Sequence, residues 1–228
     1  MQVVILAGGF GAKLRPLTHI TAKLMLKVYG KPFLEHHVIA LQNHGIKDIV
    51  ILVGHLGSQI KSFFSDGRDL GVSIAYSEDN MLGSGGAIKH AADILDKNFL
   101  VINGDTYLPE DYNAIIKKFV ESKKLGLMTV YGNKERIRAN NAAVSDGEIT
   151  GYNNTESKPN FTHVDAGVTV LNKSALDMTA EKKFSLEGEI YPKLIDQKQL
   201  ACFVTSRRFF DIHTLQRLEN IRKILESN

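Results

Sequence analysis

Leu6-Ala7-Gly8-Gly9-Phe10-Gly11-Ala12-Lys13-Leu14-Arg15-Pro16-Leu17-Thr18 (residues 6–18) continues directly from an apolar run, Val3-Val4-Ile5-Leu6. An apolar run that stops at glycines reads as a short buried strand followed by a sharp turn. In open α/β sheets the carboxyl ends of the strands are where ligands bind. Glycines there let the backbone approach a phosphate and aim N–H groups at it. Lys13 and Arg15 follow at once and can neutralise a triphosphate. The spacing Gly8-Gly9-x-Gly11 lacks the Gly-Lys-Ser/Thr of a P-loop and differs from GxGxxG. The segment is read as a phosphate cradle, with a plain tight turn as the alternative.

Outward from this loop, strand-like and helix-like segments alternate. Phe33 to His44 places Leu34, Val38 and Leu41 on one helix face. Ile49 to Val53 is near-continuously apolar, as strands of a parallel sheet are. A short helix over Ile60 to Phe64, a strand over Val72 to Tyr76, a helix opening near Gly85 and a strand over Phe99 to Ile102 follow. Asp111 to Ser122 reads as a helix and Leu127 to Tyr131 as a strand. This is the βαβ rhythm of a doubly wound sheet. Beyond Tyr131, Ala142-Ala143-Val144 and Ile149-Thr150-Gly151-Tyr152 flank Asp146-Gly147 and predict a β-hairpin. Val164 to Leu171, Leu200 to Val204 and Phe209 to Ile212 read as strands, and Thr214 to Leu225 as a closing amphipathic helix. Without a linker or repeat, the expectation is one domain whose second half extends the first sheet and covers a substrate pocket.

The chain has 228 residues, 43% of them apolar and 23% charged, with a formal net charge of +3. That excess is too small to point to nucleic acid, and the aromatic residues are not interleaved with Lys and Arg. Cys202 is the single cysteine, inside the apolar run Leu200 to Val204, so a buried inert thiol is expected and no internal disulfide can form. The N-terminus has no signal-peptide layout and no apolar run approaches the roughly 20 residues of a membrane span. A cytoplasmic protein without nucleic-acid or membrane partners is expected. The eight histidines form no HxH or HExxH pattern, which speaks against zinc. His36 and His37 are expected to be solvated or packed.

Three further motifs carry chemistry. Leu82-Gly83-Ser84-Gly85-Gly86-Ala87 opens a helix with small residues, leaving room for a flat ring against the backbone. In Val101-Ile102-Asn103-Gly104-Asp105, an aspartate just past a buried strand is poorly placed for packing and well placed for a hard cation. Asp211 lies in Phe209-Phe210-Asp211-Ile212-His213-Thr214, where a helix cap is the competing role.

Taken together, the segments resemble the sugar-1-phosphate nucleotidyltransferases, most of all the short guanylyltransferases acting on D-glycero-D-manno-heptose-1-phosphate or mannose-1-phosphate. That family's signature runs Leu-Ala-Gly-Gly-x-Gly-Thr-Arg-Leu-x-Pro-Leu-Thr, then Pro-Lys-Pro, then Gly-Lys-Pro at a helix start. Residues 6–18 match at most positions, Ala22-Lys23-Leu24 in part and Gly30-Lys31-Pro32 fully. The resemblance runs from Met1 to about Leu225, short of the C-terminal β-helix that longer members carry, so no acyltransferase is expected. It implies a Rossmann-like mixed, mainly parallel sheet flanked by helices, with an added β-hairpin or small sheet over the sugar site. Residues 1–131 would form the nucleotide-binding half and 132–228 the sugar-binding half with the closing helix. Leu6, Ala7, Gly8, Gly9, Gly11, Gly83 and Ser84 would hold the nucleotide, and Lys13, Arg15, Lys23 and Asp105 would act in catalysis. Asp105 and Asp211 would bind Mg²⁺. Asn103, Lys158, Asp165, Gly167 and Glu187 would meet the sugar phosphate.

Glu78 stands five residues before Gly83, where uridylyl and thymidylyl members tend to carry glutamine. A carboxylate there can accept two hydrogen bonds from guanine, which points to GTP, and a surface glutamate is the plain alternative. The substrates implied are a nucleoside triphosphate and a sugar-1-phosphate, and the reading leaves room for a homodimer. Uridylyl or thymidylyl transfer to glucose-1-phosphate remains an alternative, as does a catalytically weak nucleotide-sugar-binding subunit. A dehydrogenase does not fit, because Val53-Gly54-His55 stands where its acidic residue would be. Departures from the family pattern are Lys13 for arginine, Ala22 and Leu24 for the prolines around Lys23, and His213 and Leu215 for the Gly and Pro of Asp-Ile-Gly-Thr-Pro. Losing the prolines is expected to leave the Lys23 backbone less fixed and turnover lower, with binding retained.

Overall fold

The computed structural model describes residues 1–78 and 81–226, the last three by backbone alone. The first half contains β1 (Gln2–Ala7), the short β2 (Lys27–Val28) and β3 (Lys31–Pro32), α1 (Phe33–Asn43), β4 (Asp48–Val53), α2 (Gly57–Phe64) and β5 (Ser73–Glu78). It continues through α3 (Gly83–His90), β6 (Asn98–Asn103), the short β7 (Thr106–Tyr107), α4 (Tyr112–Ser122) and β8 (Gly126–Tyr131). The second half adds β9 (Ala142–Ser145), β10 (Glu148–Tyr152), β11 (Val164–Asn172), α5 (Tyr191–Asp196), β12 (Leu200–Thr205), β13 (Phe210–Asp211) and α6 (Leu215–Glu226).

Nine of these strands, among the described residues, form one sheet in the order β5-β4-β1-β6-β11-β8-β12-β10-β9. β5, β4, β1 and β6 are mutually parallel. β11 is antiparallel to both its neighbours, and β12 runs parallel to β8. The expected mixed, mainly parallel sheet is what forms, and both halves of the chain share it.

Alternation along the strands divides the core. Val3 and Ile5 of β1 point to one face, where Leu34, Val38 and Leu41 of α1, Ile60 of α2 and Ile115 of α4 pack. Val4 points to the other, against Ile88 of α3 and Leu194 of α5. Each such side chain, fully buried, contributes about 1.5–3 kcal/mol. Strands covered on both faces have no polar side to show, which is why Val3-Val4-Ile5 and Ile49 to Val53 are unbroken apolar runs.

Three expectations change in detail. The predicted hairpin turns at Asp146 and Gly147, both at positive φ (51° and 78°), but β10 pairs with β12 and so extends the far edge of the main sheet. It reaches toward the expected sugar site only through Tyr152. The strand read over Phe209 to Ile212 pairs across two residues alone, Phe210 with Tyr107 and Asp211 with Thr106. Residues 186–196 form a π turn running into α5, which the strand-and-loop reading did not include. Ser185 caps that turn by accepting from Gly188 N–H at 3.0 Å, and Pro192 sits in the first turn of the helix.

Candidate active site

The carboxyl ends of β1, β4, β5 and β6 open on one side into a cleft of about 770 Å³. Gly8 and Gly9 of the first loop line it, and so do Gly54 and His55 from the loop after β4. The two loops touch through glycines, since a Cβ on Gly54 would lie 3.0 Å from the Gly8 carbonyl oxygen. Gly11 adopts a left-handed φ of +63°, and Thr18 donates its hydroxyl to the Gly11 carbonyl at 2.8 Å. The cradle is thus a closed turn with exposed glycines at its tip. Lys13 and Arg15 are exposed beside it and do not line the cleft.

Deeper in, Lys23 pairs with Asp105, and the pair is largely enclosed, with side-chain exposures of 10% and 22%. Ala22 presents its N–H to Gln59 Oε1 at 2.8 Å, while Gln59 Nε2 donates to the Ile20 carbonyl at 2.8 Å. A proline at position 22 would have no N–H to offer. Gln59 thus ties the residue before Lys23 through a hydrogen bond that a proline there could not make. Leu24 is buried and covers Gly104, where a Cβ would fall 2.5 Å from its Cδ1. Beneath the same loop, the fully buried His37 meets the Gly104 carbonyl through Nε2 at 2.9 Å.

His213 lines the cleft and joins two carboxylates: Asp105 Oδ2 lies 3.1 Å from Nε2, and Asp211 Oδ1 lies 3.0 Å from Nδ1. These hydrogen bonds raise the ring to about 9. Burial alone would push Asp105 up, but His213 and Lys23 hold it well below the ordinary carboxylate range. Asp211 is 7% exposed and sits behind the cleft. One of its oxygens accepts from Arg217 at 3.0 Å as well as from the His213 N–H at 3.1 Å, and the other from Arg138 and from Arg217 at 2.9 Å.

The fit to a divalent ion differs between the two carboxylates. Asp105 fits: it faces the cleft, and among the described residues its Oδ1 is engaged by the Thr106 hydroxyl alone, at 3.3 Å. Asp211 does not fit, because both oxygens already face guanidinium groups. Among the described residues, no three His, Cys, Asp or Glu side chains are grouped to hold a metal.

At the other end of the cleft, Ser84 donates its hydroxyl to Glu187 at 2.8 Å and accepts from the Leu186 N–H at 2.9 Å, tying α3 to the π turn. Gly83, Ser84, Glu187 and Lys183 line the cleft there. The glycines of α3 have a reason other than a flat ring. Cβ atoms on Gly83, Gly85 and Gly86 would fall 2.2–2.5 Å from Phe184 or Lys182, whose segment lies on the helix. Glu78 lines the cleft and pairs with Lys61 at 2.7 Å.

Leu6, Asn103 and Asp105 complete the expected residues that line it. Ala7, Gly11, Lys23, Lys158, Asp165 and Gly167 do not, Lys23 reaching it only through its pair with Asp105. Gly167, at φ +77°, lies behind Thr106, which a Cβ would approach to 2.9 Å. Asp165 accepts from the Gly167 N–H at 2.8 Å and from Tyr152 at 3.2 Å. Burial pushes its carboxyl up to about 6, with Glu187 adding to the shift and the Gly167 N–H opposing it. Lys158 lies outside, its ammonium 6.0 Å from the Phe161 ring. Phe10, His55, Met81 and Lys183 line the cleft without having been singled out. The rule that ligands bind at strand carboxyl ends would have found His55. Lys183 stands four residues before Glu187, the nearest residue expected to meet the sugar phosphate.

Comparison with known proteins agrees with this geometry. The nucleotidyl transferase family model matches residues 2–228. A UTP–glucose-1-phosphate uridylyltransferase of Synechocystis sp. is 30% identical over 86% of this chain, which spans 55% of that enzyme's length. A D-glycero-alpha-D-manno-heptose 1-phosphate guanylyltransferase of Campylobacter jejuni is 31% identical, covering 93% of this chain and 94% of that one. The crystal structure of HddC from Yersinia pseudotuberculosis complexed with GMP-PN superposes with a TM-score of 0.82 at 26% identity, covering 98% of this chain and 99% of that one. Among the described residues, no helix is long and apolar enough to cross a membrane.

Proposed function

The chain belongs to the nucleotidyl transferase family, and from that premise we propose that it transfers a nucleotidyl group from a nucleoside triphosphate to a sugar-1-phosphate, giving an NDP-sugar and pyrophosphate. The observation that carries the reading is that Asp105, paired with Lys23, lines the same cleft as Gly8 and Gly9 at the carboxyl end of the sheet. GTP is the preferred donor, supported by Glu78 at the cleft wall and by the guanylyltransferases among the relatives. Heptose- or mannose-1-phosphate is the acceptor on the same ground. Residues 1–131 serve the nucleotide and 132–228 the sugar, although Ser84 and Glu187 join the two halves. The compartment is the cytoplasm, where nucleoside triphosphates are made and used.

In the reaction a sugar-1-phosphate oxygen forms a bond to the α-phosphorus while the bond to the β-bridging oxygen breaks. A phosphate monoester with a second pKa near ~6 is already an anionic nucleophile at neutral pH, so no general base is required. What the protein must supply is in-line placement and positive charge on the transferring phosphorus. The Gly8 and Gly9 backbone lets phosphates come close, and Lys23 gives a cation. Lys13 and Arg15 add charge at the cradle's rim. The family's divalent ion, here Mg²⁺ on Asp105, supplies charge neutralisation along the phosphates. Glu187 orients the acceptor and is held by the hydroxyl of Ser84 from the nucleotide side.

The test is pyrophosphate release with Mg²⁺, four nucleoside triphosphates and a panel of sugar-1-phosphates. Release is expected with GTP and a heptose or mannose phosphate, and Asp105→Asn should abolish it with the melting transition unchanged in cooperativity. Release from no pair, or near-normal activity in the variant, defeats the reading. Release only with UTP or dTTP and glucose-1-phosphate would move the assignment to those substrates.

A further inference from the structure

A second cavity, of about 140 Å³, is walled by residues of α6, of the loop between β8 and β9 and of the segment around β13. No described residue lines both it and the cleft. Among the described residues its wall carries three guanidinium groups, those of Arg138, Arg208 and Arg217, against one carboxylate, Asp211. Asn220, on α6 with Arg217, adds an amide.

The carboxylate does not balance the cations. Asp211 Oδ1 accepts from His213 and Arg217, and Oδ2 from Arg138 and Arg217. Arg138 offers Asp211 only Nη2, and Arg217 only Nη1. A guanidinium has five N–H donors in a fixed fork. Among the described residues, the other side-chain N–H groups of these two arginines have no hydrogen-bond partner. Burial pulls the Arg138 pKa down, Asp211 opposes this, and Arg217 adds to it. Arg208 meets Glu135 at 3.6 Å, but both side chains are half-exposed and such a pair is weak. Even with Glu135 counted, one positive charge is unmatched. Aromatic rings hold two of the forks, Arg138 lying over Phe209 at 4.7 Å and Arg208 over Phe210 at 5.8 Å. The donors are thus in place before any ligand arrives.

The cavity has the volume of about four or five waters, which suits a single tetrahedral oxyanion. Planar forks meet phosphoryl oxygens two at a time. We propose that this cavity is a second anion site that takes one phosphoryl group, as the free ion or as the end of a phosphomonoester, through Arg138, Arg208, Arg217 and Asn220. Asp211 is the wall between the two sites. It accepts from both arginines on one side and from His213, which lines the cleft, on the other.

The test is titration calorimetry of the full chain, without nucleotide or metal. The titrants are inorganic phosphate, glycerol 3-phosphate and, at matched ionic strength, chloride. Asn220→Asp adds a carboxylate to the wall and can still accept from Gln216, which donates to this position at 3.0 Å. Arg208→Gln removes one fork. Each is expected to weaken phosphate binding about tenfold or more, with the melting transition unchanged in cooperativity. Arg15→Gln, at the cradle, should leave that binding intact. Tighter binding of the ester identifies a phosphomonoester site, and tighter binding of phosphate a site for the free ion. Phosphate binding that survives both cavity variants, or that is lost in Arg15→Gln alone, places the ion in the cleft and overturns the proposal. An equal response to chloride, or no saturable binding, overturns it too. Should Asn220→Asp fail to melt cooperatively, Arg208→Gln is read by the same criteria. No transfer is measured, so failure of the pyrophosphate assay and failure of this proposal are separate results.

Discussion

His37 should make the stability of this protein depend on pH in a calculable way. The residue is 0% exposed, and its ring stands edge-on to Phe33 with centroids 5.3 Å apart. Burial lowers its pKa to about 4, against the Gly104 hydrogen bond and the Asp105 charge, which raise it, while nearby His36 lowers it further. The carbonyl of Gly104 can only accept, so Nε2 carries the proton of the neutral ring, and among the described residues Nδ1 has no hydrogen-bond partner. In the unfolded chain the ring titrates near ~6.5. Between that value and about 4 the unfolded state binds a proton that the folded state refuses, so stability falls as pH drops through this window. The full penalty is about 3 kcal/mol, of which roughly 2 kcal/mol develops between pH 7 and 5. Against a typical total of about 5–15 kcal/mol this is readily measured. Urea unfolding of wild type and His37→Gln across pH 5 to 8 is the assay. Glutamine keeps a donor for the Gly104 carbonyl and does not titrate. The variant should be weaker at pH 8 but lose about 2 kcal/mol less than wild type on going to pH 5. Parallel stability–pH curves for the two proteins would refute the reasoning.

Three other expectations follow from single contacts. Gln59→Ala strands the buried Ala22 N–H and should cost about 1–3 kcal/mol and lower kcat. Because Ala22 has φ −56°, which suits proline, adding Ala22→Pro removes the stranded donor and should recover much of the loss in thermal melts. Asp165 lies outside the cleft, and its buried carboxyl should act on folding with a sign opposite to that of His37. Between the ordinary value and about 6 the folded state holds a proton the unfolded state has lost, so stability falls as pH rises through that window, and Asp165→Asn should remove this dependence in urea unfolding. Glu78→Gln should shift kcat/KM away from GTP and toward UTP by about tenfold or more, and an unchanged ratio removes Glu78 from base selection.

The sheet was legible because strands buried on both faces must be written in unbroken Val, Ile and Leu. Val3 to Leu6 and Ile49 to Val53 had no other use. The glycine cradle was legible by its place after β1, and Asp105 by its place after β6. What could not be read was identity at a distance. Gln59 lies 37 residues from the Ala22 N–H it satisfies, and nothing in either local sequence announces the contact. The glycines of α3 looked like a floor for a base because the Lys182–Phe184 segment that presses on them is about a hundred residues away. Residues 186–196 hid their helical character because Ser185 and Pro192 are ambiguous until Gly188 is seen to donate to the cap. Lys158 had the right residue type, but it sits over Phe161 rather than at the cleft.

Three of the residues that depart from the family pattern, Ala22, Leu24 and His213, make contacts of their own around Asp105 and Lys23. Ala22 gives up a proline's rigidity and gains a hydrogen bond to Gln59. Leu24 gives up the second proline and seals Gly104 under a buried side chain. His213 adds bulk where a glycine would leave space, and hydrogen-bonds both Asp105 and Asp211. The free protein thereby keeps Asp105 neutralised by Lys23 and His213 until a polyanion and its counter-ion arrive. On the transferase reading a phosphate would take Lys23 and Asp105 would hold the divalent ion, so that neither charge of the pair would be left unmatched. Leaving one partner of such a pair unmatched costs about 3–5 kcal/mol. That cost is the reason Lys23→Ala should damage the site more than loss of the exposed Lys13, whose charge has no fixed partner to strand.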